Sequence, residues 1–144
     1  MILGLDISTS TTGWSVLNSS GKLVSQGFIS TSKIKNIFEK AKKVSKSLSE
    51  IHIDHQIDEI YIEENLQSFR SGFSSAQTIS TLAKFNGIVS YICFIEFGVT
   101  PVFLNVNSAR KSLGIKIERE KVCGKSTKDQ VFEWARKNLS EETY

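Results

Sequence analysis

The chain has 144 residues and a net charge of +3, with 40% hydrophobic and 23% charged residues. That length suits one ordinary domain with a real core and excludes two, and the composition excludes a disordered chain. Two cysteines and two histidines without paired ligand spacing exclude a disulfide framework and a zinc site, in keeping with a reducing cytoplasm.

No apolar run approaches the length of a bilayer span, and Met1 leads directly into a strand rather than a basic, signal-like segment. The first strand is Ile2 to Asp6, an aliphatic run that stops abruptly at a carboxylate. The second is Trp14 to Leu17, and Asn18-Ser19-Ser20-Gly21 turns the chain into a third from Leu23 to Ile29. Such short connections imply an antiparallel meander. Ile34, Ile37, Phe38, Ala41, Val44, Leu48 and Ile51 then fall on one helical face. Lysines 35, 40, 42, 43 and 46 lie mostly around the other face as solubilising groups. His52 and His55 follow in a turn-like segment, as surface residues with no metal role.

Asp58 to Glu63 is the fourth strand, reached through a helix and therefore parallel to the first. A polar loop from Glu64 to Ser75 leads to a second long helix, Gln77 to Ile95. This helix is apolar nearly all round, so it is expected to be buried on both sides, with Cys93 in the core. Val99 to Val106 is the fifth strand. Asn107 or Ser108 caps a short helix that stops at Leu113-Gly114. A basic loop with Cys123 as a free thiol follows, and Ser126 or Thr127 caps a last helix carrying Val131, Phe132, Trp134 and Ala135. The elements predict an α/β fold with a mixed five-stranded sheet. Strands one to three are antiparallel, strands one, four and five are parallel, and helices cover both faces.

Two strand ends carry the chemistry. Asp6 closes the first strand and Glu63 closes Ile60-Tyr61-Ile62. A carboxylate at a buried strand end is costly to desolvate unless a cation or donors meet it. Brought side by side, the two acids would suit a hard divalent metal; taken separately, they would simply cap strands at the solvent boundary. From Asn107 to Asn138 there are nine lysines and arginines (110, 111, 116, 119, 121, 125, 128, 136, 137) against four acids (118, 120, 129, 133). That excess suits a polyanion such as nucleic acid, and equally describes a solvated helix face.

Taken in order, several motifs resemble RuvC-type Holliday-junction resolvases of the ribonuclease H-like superfamily. They are Ile2-Leu3-Gly4-Leu5-Asp6 running to Thr12-Gly13-Trp14, then Ile62-Glu63-Glu64 and Gly87-Ile88-Val89. Pro101-Val102-Phe103 follows, with Lys111 ten residues beyond the proline, and finally Lys128-Asp129-Gln130-Val131. The resemblance covers essentially the whole chain and rests on order and interval rather than on any one motif.

It implies a metal-dependent endonuclease that resolves four-way DNA junctions by two-metal phosphodiester hydrolysis, with Mg2+ or Mn2+ as cofactor. Asp6 and Glu63 would be metal ligands, Glu63 rather than Glu64 because neighbours on a strand point to opposite faces. Lys111 and Lys128 would lie near the scissile phosphate, with Lys128 stabilising transition-state charge; both may alternatively be read as ordinary surface lysines. Phe69, Arg70, Phe73, Arg110, Lys111, Lys125 and Lys128 would contact DNA. The family's junction-wedging aromatic is replaced here by Leu66, which leaves Phe69 or Phe73 as the wedge or as loop residues folded onto the core. The resemblance further implies a homodimer through helix 77–95, no membrane, and a cytoplasmic location in a bacterial cell or virus-infected host.

The family's other two acids lie on a C-terminal helix that would begin after Tyr144; Glu141 and Glu142 do not reproduce their spacing. Residues 1–144 are therefore expected to be a single nuclease domain lacking that helix, a truncated piece of a longer frame. Two alternatives stand beside this reading. One is a non-cleaving, junction-binding relative. The other is an N-terminal fragment of a sugar-kinase or actin-like ATPase, whose phosphate-binding opening Leu3-Gly4-Leu5-Asp6 also resembles.

Overall fold

The computed structural model describes residues 1–64 and 75–139. Five strands form one sheet: β1 (Ile2–Asp6), β2 (Thr11–Leu17), β3 (Leu23–Ser30), β4 (Glu59–Glu63) and β5 (Val102–Leu104). Their order is β3-β2-β1-β4-β5. The β1·β2 and β2·β3 pairs are antiparallel, whereas β4 runs parallel to both β1 and β5. This is the expected mixed sheet. Its parallel pairs arise where helices α1 (Ile37–His55) and α2 (Ala76–Phe97) carry the chain back across the sheet.

Period-two alternation sorts the two faces. Leu3, Leu5, Val16, Ile29, Ile60 and Ile62 point to one side, and Ala41, Val44, Leu48 and Ile51 of α1 with Phe85, Val89, Cys93 and Phe97 of α2 join them in one core. Phe85 is fully buried at its centre. Phe85→Ala is therefore expected to cost about 3–5 kcal/mol, from lost apolar burial and a cavity that cannot fully collapse. Urea denaturation reads this directly as a lowered midpoint at unchanged slope. The opposite face carries Gly4, Asp6, Gly13, Ser15, Tyr61 and Glu63, and none of these is buried. The remaining helices, α3 (Val106–Ser112), α4 (Glu120–Cys123) and α5 (Thr127–Leu139), contribute no buried residue. Among the described residues, only the first face is sealed by helices.

Several local expectations are corrected. By length and composition α2 could cross a membrane, contrary to the reading that no apolar run could. Yet it packs along α1 and the sheet, and its buried side includes Asn86 and Ser90, whose hydroxyl donates to the Asn86 carbonyl at 2.6 Å. Nor is it buried all round: Tyr91, Phe94 and Ile95 are 64%, 47% and 62% exposed, because one layer of neighbours covers one side of a helix. The fifth strand is shorter than expected. Pro101 lacks an N–H for the ladder, and Asn105 leaves it to cap α3, its side chain accepting from Asn107 and Ser108 N–H.

His52 lies in the last turn of α1, not in a turn. Its Nδ1 accepts from the Ile57 N–H at 3.0 Å, and its ring meets Phe97 edge-on. Lys40 and Lys43 do more than solubilise: their amines donate to the carbonyls of Thr9 and Ser30 and tie α1 to the sheet rim.

Candidate active site

Asp6 and Glu63 stand at the C-terminal ends of two hydrogen-bonded neighbours, β1 and β4. The parallel register pairs Leu5 with Ile62, so the next residue on each strand is an acid, and both acids project from the same face. Their carboxylates come within hydrogen-bonding reach of each other. Glu63 is held above the usual carboxylate range, first by burial, then by the Asp6 charge; the Arg110 guanidinium opposes the shift. Two like charges in a half-buried site are the usual signature of a position that wants a cation.

The surroundings keep this position open and rigid. Gly13 lies opposite Asp6 across the β1·β2 ladder, and a Cβ there would come to 4.0 Å from the Asp6 Cβ. The loop leaving Asp6 is pinned by Ser8, whose hydroxyl donates to the Thr11 carbonyl at 2.8 Å and accepts from the Thr11 N–H. Thr31 adds a hydroxyl bond to the Thr9 carbonyl at 2.9 Å. On the other side the Glu64 N–H donates to the Leu104 carbonyl, so the β4 tip cannot fray away from β5.

The fit to a divalent ion follows from the donor set. Mg2+ is commonly held by one or two carboxylates, with water and substrate phosphates completing its shell, and Asp6 with Glu63 supplies such a pair. Among the described residues no third His, Cys, Asp or Glu joins them.

The basic residues separate into different roles. Arg110, on α3, is the cation that acts on Glu63; sequence reasoning placed it among DNA contacts and gave the site lysine role to Lys111. Arg110 and Lys111 together line a cavity of about 440 Å³ with Asn107, Gly114, Ile115, Lys116, Ile117 and Thr127. Lys116 was named only within the basic stretch. Lys125, expected to contact DNA, donates to both carboxylate oxygens of Glu133 at 2.7 and 2.8 Å in an exposed pair. Lys128 is exposed on the first turn of α5, beside Thr127. Ser126 caps that helix, accepting from the Asp129 N–H. Phe69, Arg70 and Phe73 lie outside the described residues.

Comparison with known proteins follows this geometry. The chain is 32% identical over 137 residues to the crossover junction endodeoxyribonuclease RuvC of Anaplasma marginale (strain Florida), covering 83% of each. It is 28% identical over 133 residues to the same-named protein of Aliarcobacter butzleri (strain RM4018), covering 90% of this chain and 77% of that protein. Among solved structures, T. thermophilus RuvC in complex with Holliday junction substrate superposes with a TM-score of 0.70 at 17% identity, over 97% of this chain and 80% of that one. The yeast mitochondrial Holliday junction resolvase Ydc2 superposes with a TM-score of 0.51 at 15% identity, over 97% and 70%. A model of the SipA vinculin binding site matches residues 35–52, which cover most of α1 and the two residues before it, a short amphipathic stretch whose Ala41, Val44, Leu48 and Ile51 are buried in this core.

Proposed function

The chain belongs to the RuvC family of crossover junction endodeoxyribonucleases, and from that premise we propose that it cuts branched DNA, four-way junctions above all, by metal-dependent phosphodiester hydrolysis. The observation that carries the reading is the convergence of the Asp6 and Glu63 carboxylates at adjacent strand ends, with the Arg110 charge acting on Glu63.

In this reading Asp6 and Glu63 hold Mg2+ or Mn2+. Bound there as a pair, such ions supply an activated water and charge stabilisation at the leaving oxygen. The chain's own residues do the rest. The β1 and β4 tips fix the two carboxylates on one sheet face, so the scissile phosphate is oriented by a rigid edge rather than by a loop. Arg110 presents a guanidinium to that phosphate, to which planar bidentate donors are well matched. Lys111 and Lys128 add positive charge along the approach of the strand, Lys128 as the group that meets charge developing in the transition state. Lys125 has a smaller part, since Glu133 already holds it. Two cuts at a symmetric junction require two such sites, so the working unit is a homodimer joined through α2. With both cysteines free, the reading places the protein in the cytoplasm.

The two-carboxylate set favours one alternative, a junction-binding relative that does not cut. A single comparison separates the two. The chain is incubated with a labelled four-way junction and with a duplex of matched sequence, in Mg2+ and in EDTA. Resolution is expected to give paired nicks in the junction arms in Mg2+ alone. Retained binding without nicks in Mg2+ or Mn2+ would assign the binding role instead.

A further inference from the structure

The cavity between α3 and the start of α5 is not needed to explain the acid pair, yet its lining is chemically one-sided. Arg110, Lys111 and Lys116 contribute three cations, the remaining lining residues are neutral, and no carboxylate faces in. None of the three forms a salt bridge among the described residues. A concavity lined by one sign of charge focuses its field on a counter-ion. Asn107 and Thr127 add neutral hydrogen-bonding groups. Gly114, at a φ of 71°, turns the chain out of α3 so that Lys116 returns to the same hollow as Arg110 and Lys111; the left-handed φ is one that side chains other than glycine adopt poorly. The nearest acid on α5, Asp129, is already engaged as acceptor of the Ser126 hydroxyl at 2.7 Å.

The Glu64 N–H at the β4 tip bonds the Leu104 carbonyl, and the chain passes from Leu104 through Asn105 straight into α3, so the cavity lined by Arg110 and Lys111 is built on the helix that leaves the sheet end carrying the acid pair. We infer that it is a second phosphate site, which seats a backbone phosphate flanking the scissile one and so sets the register of the strand across Asp6 and Glu63. This inference rests on the branched-DNA reading and adds Lys116, Asn107 and Thr127 to it. A phosphate group reaches such a hollow either as part of a DNA strand or as a free anion, and the test separates these sources.

Junction binding is measured by fluorescence anisotropy in EDTA, where no cutting occurs, across a range of salt. Lys116→Gln is expected to weaken binding about 5–10-fold near 0.1 M salt and to reduce the slope of log K against log salt by about one, the signature of one lost phosphate contact. Lys116→Arg should restore both. Junctions carrying a single neutral methylphosphonate linkage near the crossover then locate the contact. At one flanking position the neutral linkage should weaken the wild-type protein as much as Lys116→Gln does, and should not weaken Lys116→Gln further.

An unchanged slope, or additive losses at every position, would overturn the inference. So would loss of the Lys116 effect in millimolar inorganic phosphate without any position-specific linkage effect, which would mark a free-anion site. Absence of nicks in Mg2+ bears on the cleavage reading alone, whereas a wild-type chain that fails to bind junctions at all overturns both.

Discussion

Asp6→Asn and Glu63→Gln are each expected to lower the rate of junction cleavage in Mg2+ by at least about 10³-fold, close to 4 kcal/mol of transition-state stabilisation. Junction binding in EDTA should change little, because affinity comes mainly from contacts between cations and the DNA backbone. The reason is local. In the proposed site the two carboxylates at the β1 and β4 ends would hold the metal, and neither amide would restore the charge.

A control is built into Glu63. Its pKa lies above the usual carboxylate range because of burial and the Asp6 charge, so the folded protein binds this proton more tightly than the unfolded chain does. Stability therefore falls as pH rises from the ordinary glutamate range through the folded-state value, and the penalty is complete above that value. Glu63→Gln removes the charge and with it that penalty, so in EDTA at pH 7 its melting temperature should match or exceed wild type. Lost cleavage together with retained melting and binding assigns the acids to chemistry. Loss of binding and a lowered melting temperature in both variants would make them structural residues and defeat the site assignment.

Tyr91→Glu is expected to convert a dimer into a monomer, raising the dimer Kd by about 100-fold or more, near 3 kcal/mol. Tyr91, Phe94 and Ile95 form the exposed apolar end of α2, while Ala83 and Gly87 leave the preceding turns of the same outer face low. Beside them lies an apolar groove lined by Ile37, Phe38, Lys84, Gly87, Ile88, Tyr91 and Ile92.

Such a stripe is self-complementary when two copies cross antiparallel. In the proposed dimer, with a two-fold axis level with residue 89, Tyr91 of one copy would meet Gly87 of the other, and Lys84 would approach Glu96. These are the one cation and the one anion of α2, so their pairing also sets the direction of the crossing. Sedimentation velocity checks the assembly. Lys84→Glu and Glu96→Lys should each weaken the dimer, and the double swap should recover it. An unaltered dimer in Tyr91→Glu would move the interface elsewhere.

The strands were readable because each carries a local signature. Ile2 to Leu5 and Ile60 to Ile62 are continuous apolar runs, the mark of strands at the centre of a sheet, and each ends in an acid. The cap of α3 was misplaced by two residues, since Asn105, Asn107 and Ser108 are all competent caps and local chemistry does not rank them. The effect of the Arg110 charge on Glu63 was missed because the two are 47 positions apart and nothing in the basic stretch distinguishes one cation from its neighbours. The tie of Lys125 to Glu133 was not foreseen because it crosses from a loop onto a helix, a pairing with no sequence period.

By itself the sequence determined the order of the strands and of the longer helices, the parallel and antiparallel pairing, and the two acids at strand ends, because hydrophobic period and helix crossovers act over short stretches of chain. It missed the four-residue α4, which it took for part of a basic loop. Tertiary structure alone decided which cation's charge acts on Glu63, which lysine pairs with Glu133, which side of α2 stays open and where three cations share a hollow. Those outcomes depend on how distant segments meet in space, and Coulomb and desolvation energies are set by that distance and burial rather than by position along the chain.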